Sequence, residues 1–144
     1  MVRTSQLIGV IGVLGVAPLA SVAAQTSGVL PAHVVVVQLV MRNDPSVPFA
    51  FEPNVVQVQR GDTIRFAEAA NAVHNVRFIK QAPGAKLGAA VVGPFLSKVG
   101  ETYSLVIDGR FADGKYEYVC DPHQMLGMKG TLVVSERQGA GAPK

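Results

Sequence analysis

Short segments of alternating apolar and polar residues, separated by turn residues, are the feature that most limits how this chain can fold. Valine dominates residues 33–41, and the alternation is repeated in 56–59 and 63–66. Such alternation is typical of strands, because successive side chains of a strand point to opposite faces of its sheet. No segment of any length shows the 3.6-residue period of a helix. The pattern therefore predicts an all-β fold.

Further strands are predicted along the rest of the chain. Residues 73–79, 102–107, 115–120 and 130–135 are rich in β-branched and aromatic side chains, and Gly- and Pro-containing loops separate them. The interval 84–98 is the least regular and predicts either a helical turn or a further short strand. About seven short strands with turns at this spacing favour an antiparallel sandwich or a Greek-key barrel.

The N-terminal residues have the layout of a secretory signal peptide. Arg3 precedes an apolar run over 7–16, and Pro18 and several small residues lead to Ala24. Cleavage after Ala24 is the prediction for this layout. An uncleaved membrane anchor is the alternative, but the apolar run is short, glycine-rich and followed by Pro18, which favours cleavage.

Removal of residues 1–24 leaves 120 residues, a length that suits one domain with a single core. We expect that domain to span 25–137, and we expect the Gly- and Ala-rich tail 138–144 to be disordered. The predicted export places the protein in the periplasm or outside the cell. We further expect a monomer, with no stable membrane insertion once the signal is cleaved.

The charge of the chain excludes one large class of partners. Thirteen Lys and Arg stand against ten Asp and Glu, so the formal net charge is only +3. Basic clusters and interleaved aromatic platforms, which nucleic-acid-binding proteins use, are absent from the sequence. We therefore expect no nucleic-acid partner.

Potential metal-binding side chains cluster around the single cysteine, Cys120. His123 follows three positions later and Met128 five positions after that, and His74 can supply a second imidazole. Two His, one Cys and a weakly bound axial Met are the donors of a blue-copper electron-transfer site. A lone cysteine is more often a buried, inert thiol. The spacing to His123 and Met128 favours the metal site instead.

Side-chain alternation gives independent support for this cluster. Residues two positions apart in a strand share a face of the sheet. The residues that share a face with His74, Cys120 and Met128 in the predicted strands are apolar or aromatic: Val76, Phe78, Tyr116, Tyr118, Leu132 and Val134. All three predicted ligands therefore fall on the core-facing side of their strands.

The segments 71–76 and 120–130 together resemble the small cupredoxins, especially the plastocyanin, pseudoazurin and halocyanin group. The resemblance covers about 51–135 and implies a cupredoxin-type Greek-key β-sandwich or barrel. It also implies a mononuclear type 1 copper protein that carries single electrons between transient redox partner proteins outside the cytoplasm. The ligands that it implies for one Cu(I)/Cu(II) ion are His74, Cys120, His123 and Met128. Asn75 is similar to a family residue that ties the two ligand-bearing segments together, here near Asp121.

Two other residues compete for places in the site. Met125 lies three positions after His123, which is the ligand spacing of the amicyanin-type short loop. We favour Met128, because 127–130 lead directly into a predicted strand, as in the longer-loop members. Met125 is then expected near the surface beside His123. His33 has no partner at a suitable spacing and is not expected to bind metal.

Two other functions are open to a copper protein of this size. A copper enzyme needs several additional histidines, and only His33 remains unassigned, so we expect no enzymatic activity. Copper storage or delivery by a protein of the same fold is the remaining alternative. Such proteins tend to use Met- and His-rich clusters, which are absent from the sequence.

Overall fold

The computed structural model describes residues 31–137, and this part of the chain contains eight strands. In chain order these are β1 Val34–Met41, β2 Phe49–Glu52, β3 Val55–Gln59, β4 Thr63–Glu68, β5 Arg77–Lys80, β6 Thr102–Val106, β7 Gly114–Val119 and β8 Lys129–Ser135. The predicted signal peptide, 1–24, and the predicted disordered tail, 138–144, lie outside the described residues. Within 31–137, no helix has the length and apolar character that crossing a membrane requires.

The strands form two four-stranded sheets, in the orders β2-β1-β4-β6 and β3-β8-β7-β5. The predicted all-β sandwich is confirmed. The predicted antiparallel pairing holds for four of the six strand pairs, whereas β1 pairs with β4 in parallel and so does β3 with β8. Other strands separate the two members of each parallel pair in sequence. A long crossover connection therefore joins them, as parallel pairing requires.

The core lies between the two sheets and is rich in aromatic side chains. Phe51, Phe66 and Tyr118 are fully buried, and Tyr118 meets both Phe rings edge to face at centroid distances of 4.9 and 5.4 Å. Such pairs contribute about 0.5–1.5 kcal/mol each beyond the burial of their surface. The predicted burial of His74, Cys120 and Met128 is confirmed, but all three lie outside the strands that were expected to contain them.

The structure adds one strand to the prediction, shortens another and defines the irregular interval 84–98. β2 was not predicted, because both of its central residues, Ala50 and Phe51, are buried and no alternation is visible. The strand predicted over 73–79 begins only at Arg77, since His74 is hydrogen-bonded in an isolated bridge to Leu96 instead. The interval 84–98 contains both predicted alternatives, a 3₁₀ turn at Gly88–Val91 and short bridging segments after it.

Gly130 is required by a close approach within the sheet. It lies in β8 opposite Tyr118, and a Cβ at this position would come within 2.4–2.6 Å of three atoms of the tyrosine ring. We expect Gly130→Ala to lower the free energy of unfolding by about 1–3 kcal/mol, because the added methyl overpacks the core. Urea denaturation measures this change. Gly109→Ala is the matched control, since nothing lies within 4 Å of its Cβ position; equal losses in both variants would contradict the packing argument.

Candidate metal centre

Three of the four predicted ligands lie on the β7–β8 loop, residues 120–128. Cys120 follows β7 directly, 3₁₀ turns occupy Asp121–Leu126, and Met128 precedes β8. The 3₁₀ segment is capped by Gly127, whose φ of 85° lies in the left-handed region that glycine adopts without strain. The sequence pattern thus correctly predicts the strand–loop–strand arrangement of this segment.

Backbone hydrogen bonds close the β7–β8 loop on itself. The Cys120 N–H donates to the Met128 carbonyl at 3.2 Å, and the Met128 N–H donates to the His123 carbonyl at 3.2 Å. The His123 N–H donates to the Cys120 carbonyl at 3.1 Å. These hydrogen bonds fix the backbone positions of all three predicted ligands relative to one another.

The fold brings the fourth predicted ligand, His74, against this loop. The ring centroids of His74 and His123 are 4.8 Å apart, and the Cys120 Sγ lies 3.5 Å from the His123 Nδ1. His74, Cys120 and Met128 are fully buried, whereas His123 is partly exposed. His123 is therefore the more accessible of the two histidines.

The two competing residues lie elsewhere. Met125 is 89% exposed, so its thioether is in solvent rather than in the buried cluster. This agrees with its expected position near the surface. The His33 side chain is also mostly exposed and lies 4.0 Å from Asp62, a residue that does not belong to the cluster.

Burial shifts the pKa values of two of the predicted ligands. It raises the pKa of the Cys120 thiol, while the backbone N–H groups of Asn75 and His123 act in the opposite direction. It lowers the pKa of His123, and the neighbouring His74 lowers it further. The His123 imidazole therefore stays neutral, with a free lone pair, to a lower pH than an exposed histidine. The Cys120 proton must be displaced by a metal ion, as thiolate coordination requires.

One buried nitrogen of the cluster has no hydrogen-bond partner among residues 31–137. This is the Nε2 of His74, whereas the His74 Nδ1 lies 2.7 Å from the Glu68 carboxylate. An unsatisfied buried polar atom costs about 1–3 kcal/mol. A metal ion removes this cost, and a thiol, two imidazoles and a thioether are the donor types that copper takes. The residues present therefore fit a copper ion.

Side chains from neighbouring segments hold the β7–β8 loop in place. The Asn75 Nδ2 donates to the Asp121 carboxylate at 2.7 Å, and the Asp121 N–H donates to the Asn75 Oδ1 at 2.8 Å. The predicted tie between these segments is confirmed. Arg77 adds hydrogen bonds to Asp121 at 2.5 Å and to Gln124 at 3.1 Å.

Two residues in contact with the cluster were not predicted. Phe49 of β2 stacks on the His123 ring at a centroid distance of 4.0 Å and meets the His74 ring edge-on at 5.3 Å. No sequence pattern pointed to Phe49, since β2 itself was not predicted. Glu68 could have been identified from the sequence, because it lies on the same, core-facing side of β4 as Ile64 and Phe66. The alternation therefore places a charged residue in the core.

Sequence comparison gives the family context for this cluster. Residues 37–135 match the sequence profile described as copper binding proteins, plastocyanin/azurin family. The chain is similar to the chloroplastic plastocyanin of Pisum sativum, with 33% identity over 120 residues, 81% of this chain and 69% of that protein. It is also similar to the plastocyanin of Prochlorothrix hollandica, with 31% identity over 123 residues, 82% of this chain and 91% of that protein.

Solved structures show the same fold. The oxidised plastocyanin of Dryopteris crassirhizoma superposes with a TM-score of 0.56 at 27% identity, covering 70% of this chain and 100% of that one. A pseudoazurin from Methylobacterium extorquens AM1 superposes with a TM-score of 0.51 at 28% identity, covering 73% of this chain and 77% of that one. The chain therefore belongs to the plastocyanin/azurin family: it is a cupredoxin that binds a single type 1 copper ion and transfers electrons rather than catalysing a reaction.

Proposed function

We propose that His74, Cys120, His123 and Met128 hold the copper ion, and that the protein carries single electrons, as a monomer, between redox partner proteins outside the cytoplasm. The observation that carries the ligand assignment is the buried His74 ring, which packs against the His123 ring of the Cys120–His123 pair and whose Nε2 has no hydrogen-bond partner among residues 31–137. When bound, copper supplies a one-electron couple between Cu(I) and Cu(II). The N-terminal pattern of residues 1–24 supports export.

The residues around the site keep the four donors in one arrangement. The β7–β8 loop is closed by its own backbone hydrogen bonds and tied to Asn75 and Arg77. His74, Cys120 and Met128 are sealed from water by the core. Because these contacts hold the donors in place, the donors move little when the oxidation state of copper changes. This favours fast electron transfer over storage or delivery, in which the metal has to leave.

Copper titration and voltammetry test the proposal together. We expect the metal-free protein to take up one equivalent of Cu(II) and to show a reversible one-electron wave. Binding of several equivalents, or rapid loss of copper to a chelator on reduction, supports storage or delivery instead.

The partly exposed His123 ring marks the place where electrons leave. Pro122, Met125 and Leu126 form an exposed apolar patch on the same loop, which we call the His123 patch. Weak redox encounters use small interfaces, and a patch of this kind allows close approach without a long-lived complex.

We expect Leu126→Lys to slow electron self-exchange between the Cu(I) and Cu(II) forms at least tenfold. Two copies must bring their His123 patches together, and the variant places a charge in each patch. NMR line broadening at fixed ionic strength measures the rate. Val106→Lys is the control, because Val106 is similarly exposed but pairs with Thr63 at the opposite end of β4 from Glu68. Equal rates in the two variants would place the exit route elsewhere.

A further inference from the structure

Arg77 makes contacts beside the metal centre that the ligand assignment does not use. It is the first residue of β5, and its side chain is 33% exposed. Its backbone is held on both sides, because it pairs with Val119 of β7, the residue before Cys120, and forms a bridge to Val92. The Arg77 side chain therefore extends towards the β7–β8 loop from a fixed base.

The guanidinium group contacts two residues of that loop. Its Nε donates to the Asp121 Oδ1 at 2.5 Å, and its Nη2 donates to the Gln124 Oε1 at 3.1 Å. Asp121 directly follows Cys120, and Gln124 directly follows His123. Arg77 therefore holds the next residue after each of two proposed ligands, and it joins the two through one rigid, planar group.

Asn75 holds only the first of these two points. Its side chain exchanges hydrogen bonds with the Asp121 Oδ2 and the Asp121 N–H, which fixes the loop next to Cys120. Arg77 extends this attachment to Gln124, next to His123. The His123 side chain is partly exposed, so the core holds it less firmly than it holds the buried ligands.

We propose that Arg77 is a positioning residue of the copper site, whose two contacts set the separation of Cys120 and His123 and limit its change during electron transfer. This inference rests on the proposed function, since it takes both residues as copper ligands. The Cys120 Sγ and the His123 Nδ1 lie 3.5 Å apart. Groups that orient metal ligands from outside the coordination sphere contribute about 10–100-fold to metal affinity or activity.

Steering of redox partners by the Arg77 charge is the alternative role. The guanidinium group is paired with the Asp121 carboxylate, so a partner meets a compensated charge there. Lysine keeps the positive charge but lacks the planar fork that reaches two acceptors in a fixed geometry. Arg77→Lys therefore separates positioning from charge.

The loop can be tested in the metal-free protein by amide hydrogen exchange, which reports local opening. The N–H groups of His123, Gly127 and Met128 are hydrogen-bonded within the loop. We expect them to exchange about tenfold faster in Arg77→Met, which loses both contacts, and about threefold faster in Arg77→Lys. Exchange at the wild-type rate in Arg77→Lys would overturn the inference.

Arg60→Lys is the matched control. The Arg60 side chain is 32% exposed and is also ion-paired with an aspartate, Asp113. Its backbone N–H donates to the carbonyl of Ser135, at the end of β8 that is remote from the loop. The loop amides of this variant should exchange at the wild-type rate, and equal acceleration in both lysine variants would contradict the inference.

Gln124→Ala tests the second contact without changing Arg77. Gln124 is exposed, so folding is not at risk, and far-UV circular dichroism verifies it. The same amides should exchange about threefold faster than in the wild-type protein. Adding Gln124→Ala to Arg77→Met should cause no further change, because that contact is already lost; a full additional acceleration would contradict the inference.

The copper-loaded protein gives an independent readout. We expect electron self-exchange to be about threefold slower in Arg77→Lys than in Arg60→Lys, because a less firmly held site rearranges more when copper changes its oxidation state. Both variants keep the net charge, so repulsion between copies is unchanged. Equal self-exchange rates in the two variants would also overturn the inference.

The two proposals fail in different ways. A wild-type protein that binds copper without an intense thiolate band contradicts the proposed function itself. A protein that shows the band, but whose loop exchange and self-exchange are unaltered in Arg77→Lys, contradicts only the role of Arg77.

Discussion

Cys120→Ser is expected to abolish the intense visible absorption band of the copper-loaded protein. The band arises from charge transfer between a thiolate and Cu(II), and Cys120 is the only thiol in the chain. A serine hydroxyl is a far poorer electron donor and does not ionise near neutral pH, so the loss should be complete. Absorption spectra of the variant and the wild-type protein, recorded after addition of one equivalent of Cu(II), measure the effect.

The fold of the Cys120→Ser variant has to be checked at the same time. Serine is slightly smaller than cysteine, and Cys120 directly follows β7 rather than lying within it, so far-UV circular dichroism should remain that of a β protein. Met125→Ser removes an exposed sulfur from the same loop and should leave the band unchanged. Survival of the intense band in Cys120→Ser would contradict the assignment of Cys120 as a ligand.

The strands that face solvent on one side could be predicted from the sequence, whereas their pairing could not. Alternation of apolar and polar residues is visible wherever one face of a strand is buried and the other is exposed to solvent, as in β3 and β4. It is not visible in β2, where Ala50 and Phe51 are both buried. The parallel pairing of β1 with β4 depends on contacts between segments far apart in sequence, which no local pattern encodes.

The residues of the site also divide into those that local sequence patterns predict and those that they do not. Cys120, His123 and Met128 lie on one loop, so their spacing alone predicts that they meet. His74 required both side-chain alternation and the resemblance to the cupredoxins. The contact between His74 and Glu68 depends on how the chain turns between them, in a segment that includes Asn71 with a φ of 49°. Single-sequence patterns do not determine such a turn, although the inward phase of Glu68 does indicate that it is buried.

The axial ligand gives the second large expected effect. Met128→Gln should retain copper but lower the reduction potential, because an amide oxygen is a harder donor than a thioether and favours Cu(II). We expect the Cu(I)/Cu(II) ratio at a fixed applied potential to fall at least tenfold, a decrease of about 59 mV or more. Voltammetry at one pH measures the change.

Met125→Gln is the matched control for Met128→Gln. It makes the same chemical change on the same loop, but Met125 is in solvent while Met128 is fully buried. The potential of Met125→Gln should therefore stay close to that of the wild-type protein. A large decrease in Met125→Gln and none in Met128→Gln would show that the shorter spacing supplies the axial donor. The loop would then have to refold on copper binding, because the present arrangement holds the Met125 sulfur outside the core.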